Sequence, residues 1–147
     1  MFFHHRLIKK TEERKIVSAI KAAEKDTSGE IRVHIERWCT EGDPVARAIF
    51  IFDAIGMFDT RDRTGVLIYI SLKSRLFAII GDVGINAVIP PDFWNGIKAS
   101  LSSFFSQGLI TEGIRDAVQQ TGKILKEHFP ASEDNPNEQP DEISYGR

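Results

Sequence analysis

Two apolar runs constrain this chain more than anything else in it. Residues 66–70 (Val-Leu-Ile-Tyr-Ile) and 76–80 (Leu-Phe-Ala-Ile-Ile) are apolar throughout, the pattern of strands covered on both faces. Only a short polar turn, Leu72-Lys73-Ser74-Arg75, separates them. A connection that short joins antiparallel neighbours, so the two runs form a hairpin. Upstream, residues 30–37 alternate, with Ile31, Val33 and Ile35 facing one way and Arg32, His34 and Glu36 the other. That predicts a strand with one polar face, near a sheet edge or partly open to solvent. A helix predicted after it makes the crossover to the second strand parallel and right-handed. A mixed sheet therefore follows.

Helices fill the rest. Residues 11–26 carry Ile16, Val17, Ile20 and Ala23 on one stripe, with Thr11 as a cap and Glu12 and Glu13 at the positive end. Asp43 and Pro44 open a second helix as N-cap and first residue, and Gly56 closes it. Its stripe of Val45, Ala48, Ile49 and Phe52, widened by Phe50 and Ile51, predicts a well-buried helix. Gly81-Asp82-Val83-Gly84 reads as a turn. Residues 92–105 and 111–129 are two further amphipathic helices. The order α-β-α-β-β-α-α predicts an α/β fold, a three-layer α/β/α sandwich around a small mixed sheet. It divides into one domain over residues 1–130 and an acidic, Pro/Asn-rich tail over 131–147, extended and either mobile or lying across the body.

Composition excludes several functions. With 147 residues and a net charge of −2, the chain has the size of one domain and no field to attract nucleic acid. The basic residues Arg6, Lys9, Lys10, Arg14 and Lys15 are interleaved with Glu12 and Glu13, as on a solvated helix face. Cys39 stands alone, so no internal disulfide is possible. Met1–Arg6 lacks the features of a signal peptide, and no apolar run nears the ~18 residues of a membrane span. The expectation is a cytoplasmic protein without direct membrane insertion, whose partner, if any, is another protein. His34 and His128 lack zinc spacing, and no phosphate loop, nucleophile elbow or linear calcium loop is present.

Strand direction points to the candidate site. Parallel first and second strands, with the third antiparallel, bring three places to one rim: Glu30, the loop with Asp59, Thr60, Asp62 and Arg63, and Asp82. Carboxylates gathered so closely repel one another unless something compensates. A hard divalent cation does this through carboxylate, carbonyl and water oxygens. The alternative is that Asp82 and Asp62 cap turns while Glu30 pairs with Arg63.

The chain resembles the TPM-domain family, in its stand-alone bacterial branch. The resemblance rests on the order of Thr27-Ser28-Gly29-Glu30-Ile31-Arg32-Val33, Met57-Phe58-Asp59-Thr60 with Arg63, Gly65–Ile70, Gly81-Asp82-Val83-Gly84-Ile85 and Phe93-Trp94, with 135–143 like the end of that branch. The resemblance implies an α/β/α sandwich. It also implies calcium or other divalent cations bound by loops at one edge, with Asp82 and Glu30 as leading ligands and Asp59 and Asp62 behind them. A plant thylakoid member, for which acid phosphatase activity is described, brings a metal-assisted phosphoester hydrolase as the alternative, with Arg63 holding the phosphate. A plain protein-interaction module is the third reading. Many members are exported or carry membrane helices, and neither is expected of this chain.

Overall fold

The computed structural model describes residues 7–132 and 138–146. The expectations for Met1–Arg6 and for the stretch 133–137 lie outside the described residues. Helices α1 (Lys10–Lys25), α2 (Pro44–Ala54), α3 (Val83–Asn86), α4 (Pro91–Ser106) and α5 (Ile110–His128) surround strands β1 (Glu30–Glu36), β2 (Gly65–Ser71), β3 (Leu76–Gly81) and β4 (Ser144–Tyr145). The sheet order is β3-β2-β1-β4. β1 runs parallel to β2, and β2 antiparallel to β3, as the connection lengths require. The mixed α/β sandwich expected from the element order is the fold observed.

The two faces of the sheet are covered unequally. Ile31, Val33 and Ile35 of β1 join Val66, Ile68 and Ile70 of β2 in one core with α1, α4 and α5. On the opposite face, Leu67 and Tyr69 of β2 and Ala78 of β3 pack under α2 alone, through Ala48, Ile51 and Phe52. α2 is therefore not the well-buried helix its composition predicts. Val45, Ile49 and Phe50 are about half exposed, because a single helix on one face has no outer neighbour to cover its far side. Asp43 and Pro44 do open it, with the Asp43 carboxylate accepting from the Val45 and Ala46 N–H groups.

Three further differences have local causes. α1 starts at Lys10, so Thr11 lies inside it; the first turn closes on the Lys9 carbonyl, and no side chain caps it. Residues 83–86 form a helical turn, because the Asp82 carboxylate accepts from the Val83 N–H. β1 is an interior strand with all seven residues buried, although its polar face suggested an edge. The cover for that face comes from the far end of the chain. β4 pairs alongside β1 at His34 and Ile35, and residues 138–146 run as a strap across it. No helix among the described residues is long and apolar enough to cross a membrane.

Candidate functional site

The rim predicted from strand direction exists. Glu30 opposes Gly65 at the start of β1, its N–H donates to the Thr64 carbonyl, and the Asp82 N–H donates to the Gly65 carbonyl. Glu30, Thr64 and Asp82 therefore lie at one end of the sheet. Their side chains do different work.

Asp82 is committed to structure. Arg63 donates to it through two nitrogens, at 2.7 and 2.8 Å, and the Val83 N–H takes the same oxygen as the second of these. Arg63 holds a left-handed backbone (φ 56°), which turns its side chain back onto Asp82 and beneath the Phe58 ring. Its carbonyl accepts from the Gly84 N–H. Only glycine fits at position 84, since a Cβ there would collide with the Asp62 and Arg63 carbonyl oxygens. The loop is thus pinned to α3. Thr60 is buried, its hydroxyl accepting from the Thr64 N–H. Asp59 and Asp62 are exposed, and Asp62 lies 3.6 Å from Arg61. Arg63 pairs with Asp82 and not with Glu30.

Glu30 sits in another environment. It is 2% exposed, its Oε1 accepts from the Glu138 N–H of the strap, and its Oε2 has no donor. Its neighbour is a second acid, Glu24, from the last turn of α1. One Glu24 oxygen accepts from the Ile31 N–H at 2.8 Å, while the other is buried without a donor. Asp141 of the strap is a third carboxyl, and both it and Glu30 are hydrogen-bonded to Glu24, which keeps its proton. Burial pushes both glutamates above the usual carboxylate range, and Asp141 and Glu30 push Glu24 further. Glu24, Glu30 and Asp141 line a cleft of about 280 Å³, with Lys21 and Lys25 also on its wall. Among the described residues, no group of three or more His, Cys, Asp or Glu side chains is arranged to hold a metal ion.

Sequence reasoning found Glu30 and missed Glu24 and Asp141. Glu24 carried a signal: a carboxylate in the last turn of a helix faces the negative end of the dipole, so something else must favour it there. Asp141 had none, since only the folded strap brings it to α1.

The opposite end of β1 holds a different arrangement. Glu36, 1% exposed, accepts from two Arg47 nitrogens at 2.9 Å and from the Tyr69 hydroxyl. His34 lies 3.4 Å from Glu36 and 2.8 Å from the Ser144 hydroxyl of β4. Burial alone would raise the Glu36 carboxyl, but the Arg47 and Tyr69 hydrogen bonds outweigh it and hold the group below its ordinary range. Burial pulls the His34 pKa below its ordinary value, against the opposing pull of Glu36.

The sequence profile of the TPM domain matches residues 3–124. The chain belongs to the TPM-domain family. Among solved structures it is similar to the BA42 protein of the psychrophilic bacterium Bizionia argentinensis, at 39% identity and a TM-score of 0.89, over 99% of this chain and 100% of that one. It also shares its fold with the N-terminal domain of the cg2496 protein of Corynebacterium glutamicum, at 13% identity and a TM-score of 0.66, over 83% of this chain and 76% of that one. No curated protein matches it. The likeness to BA42 extends past the family profile, so it includes the strap as well as the TPM domain.

Proposed function

We propose that this TPM-domain protein is a non-enzymatic cytoplasmic module that binds calcium or a similar divalent cation at the acidic edge of its sheet, through Glu30 with Glu24 beside it. The observation that carries the reading is the Glu30 carboxyl: buried, with one oxygen lacking a donor, against a second acid on the wall of a cleft. Two buried carboxyls in that position either share a proton or surround a cation. Calcium takes six to eight oxygen ligands, of which water and backbone carbonyls can supply most. Glu30 and Glu24 are the anchors in this reading. Asp59 and Asp62 stand behind them as exposed acids on the same rim, and Asp82 is held by Arg63.

A one-site ligand at 100 times its dissociation constant stabilises a fold by about 2.7 kcal/mol. At ~2–4 °C per kcal/mol, millimolar calcium raises the melting temperature by roughly 5–10 °C over a chelated sample. Glu30→Gln abolishes that rise and Asp82→Ala retains it. No rise in the wild type sinks the reading; a rise lost only in Asp82→Ala moves the ion to the β3 side. The hydrolase alternative needs Arg63 to hold a phosphate, and two of its three guanidinium nitrogens, Nε and Nη2, already donate to Asp82.

A further inference from the structure

The sheet has two edges, and only one of them is blunted. β4 closes one side with a strand of two residues, whereas β3 leaves six residues on the other side with no strand beyond them among the described residues. Natural edge strands are kept from pairing by lysine, proline, a bulge or shortness. β3, Leu-Phe-Ala-Ile-Ile-Gly, carries no charge and no proline, and its register with β2 runs without a bulge. The Asp82 N–H donates to the Gly65 carbonyl, which sets the phase of the ladder. Ala78 and Ile80 therefore bond to β2, while Phe77, Ile79 and Gly81 turn their N–H and C=O groups outward. The Gly81 carbonyl accepts from the Asn86 side chain at 2.9 Å and keeps a second lone pair. Beside this edge lies an apolar cleft of about 360 Å³, with Ile49, Phe58 and Val83 exposed on its wall. The two ends of the edge differ in charge. Lys73 and Arg75, exposed on the turn that enters β3, form no ion pair with another described residue. At its exit, Asp59 and Asp62 are exposed, and the Asp62 carbonyl lies against Gly84. The contact of Asp62 with Arg61 is solvated on both sides and contributes little.

We propose that the β3 edge is an interface for a second copy of this chain, whose own β3 adds antiparallel about a two-fold axis at Ile79. A two-fold axis makes an interface self-complementary, so each copy supplies both halves of every contact. Ile79 then faces its own counterpart and Phe77 faces the partner's Gly81, so every outward N–H on the edge finds an acceptor. The same axis sets the basic entrance of each strand against the acidic exit of the other. Position 75 falls opposite position 83 of the partner, which brings Arg75 to the corner formed by the partner's Asp62 and Gly84. Leu76, half-buried on the α2 side of the sheet, meets the mouth of the partner's apolar cleft. The occupant is a second copy because the edge carries donors, acceptors and opposite charges in an order that matches itself reversed. Glu24 and Glu30 stand on α1 and β1, away from this edge, so the inference is independent of the cation reading.

Sedimentation of the full chain up to about 500 µM tests this, because interfaces of standard size dissociate at micromolar concentrations or below. The wild type is a dimer at the upper concentration, and a monomer throughout overturns the proposal. Arg75→Glu and Asp62→Arg each weaken the dimer about tenfold, since each reversal is felt at both symmetric contacts. The double variant, with the charges exchanged, restores the wild-type dissociation constant. Both positions are exposed, and unchanged melting temperatures of the monomers confirm that the swaps leave the fold intact. Dimerisation indifferent to both single swaps overturns the pairing. Amide exchange reads the edge directly. The Phe77 and Ile79 amides exchange more slowly in the dimer than in the dilute monomer, while Ala78 and Ile80, bonded to β2 in either state, do not change. A dimer in which the Phe77 and Ile79 amides gain no protection joins through another face, such as the exposed Val45 and Phe50 of α2, and also overturns it.

Discussion

Glu30 and Glu36 are the same residue type on the same face of the same strand, each at most 2% exposed, and the protein treats them oppositely. Glu36 receives an arginine, a tyrosine hydroxyl and a histidine ring nitrogen. Glu30 receives one backbone N–H, another carboxyl and an oxygen left without a donor. The Glu36 carboxyl is held below its ordinary pKa and the Glu30 carboxyl above it. Burial alone marks neither as functional. A buried carboxylate whose charge is met by fixed donors belongs to the framework, whereas one backed by a second acid needs a shared proton or, in the reading proposed above, a cation.

The largest effect that can break this contrast is at the Glu36 end. Glu36→Ala leaves Arg47 and Tyr69 without their acceptor, and removing one partner of a buried pair costs about 3 kcal/mol or more. At ~2–4 °C per kcal/mol the melting temperature falls by roughly 6–12 °C. Glu30→Gln in chelator gives no such fall, because the amide relieves repulsion and still offers an oxygen to the Glu138 N–H. Equal losses from both substitutions, in a thermal melt, would erase the distinction between framework and site.

Acidity gives the next effect, with opposite signs at the two ends. His34 is depressed below its ordinary 6.5 and Glu36 below its ordinary 4.5. The unfolded chain therefore takes up these protons first, and stability from this end is full above about pH 6.5 and lost as the pH falls through both groups. Glu24, raised by burial and by Asp141 and Glu30, works the other way: its contribution is greatest below 4.5 and lost as the pH rises. Melts between pH 8 and 5 in His34→Asn should show a shallower acid-side loss than the wild type. An identical slope would mean that His34 is not a source of it.

The smallest effect is at Asp82. Asp82→Ala removes the N-cap of α3 and the acceptor of two partly solvated Arg63 nitrogens, together roughly 2 kcal/mol, and on the cation reading leaves the calcium-induced rise in melting temperature intact. A lost rise there, with Glu30→Gln still responsive, would transfer the functional role from the Glu30 side of the rim to the Asp82 side.

Much of this was readable in the chain. Connection lengths and alternation predict the parallel and antiparallel pairs, and with them the meeting of Glu30, the loop that enters β2 and Asp82. The pairing of Asp82 with Arg63 was not readable, because it depends on the left-handed backbone at Arg63 and on the close approach of Gly84. The exposure of Val45, Ile49 and Phe50 was missed for a related reason. An apolar helix predicts burial, but how many layers lie above it is a property of the whole assembly.

Local chemistry, acting within a turn or between adjacent strands, determined the four long helices, the hairpin, the Asp43 cap and the directions of β1, β2 and β3, since these depend on residues near one another in the chain. Tertiary structure alone decided what surrounds each buried charge. Arg47 comes to Glu36 from α2, while Glu24 and Asp141 come to Glu30 from α1 and the strap. Electrostatic energy in a buried site depends on distances between segments remote in sequence, and no local pattern encodes those.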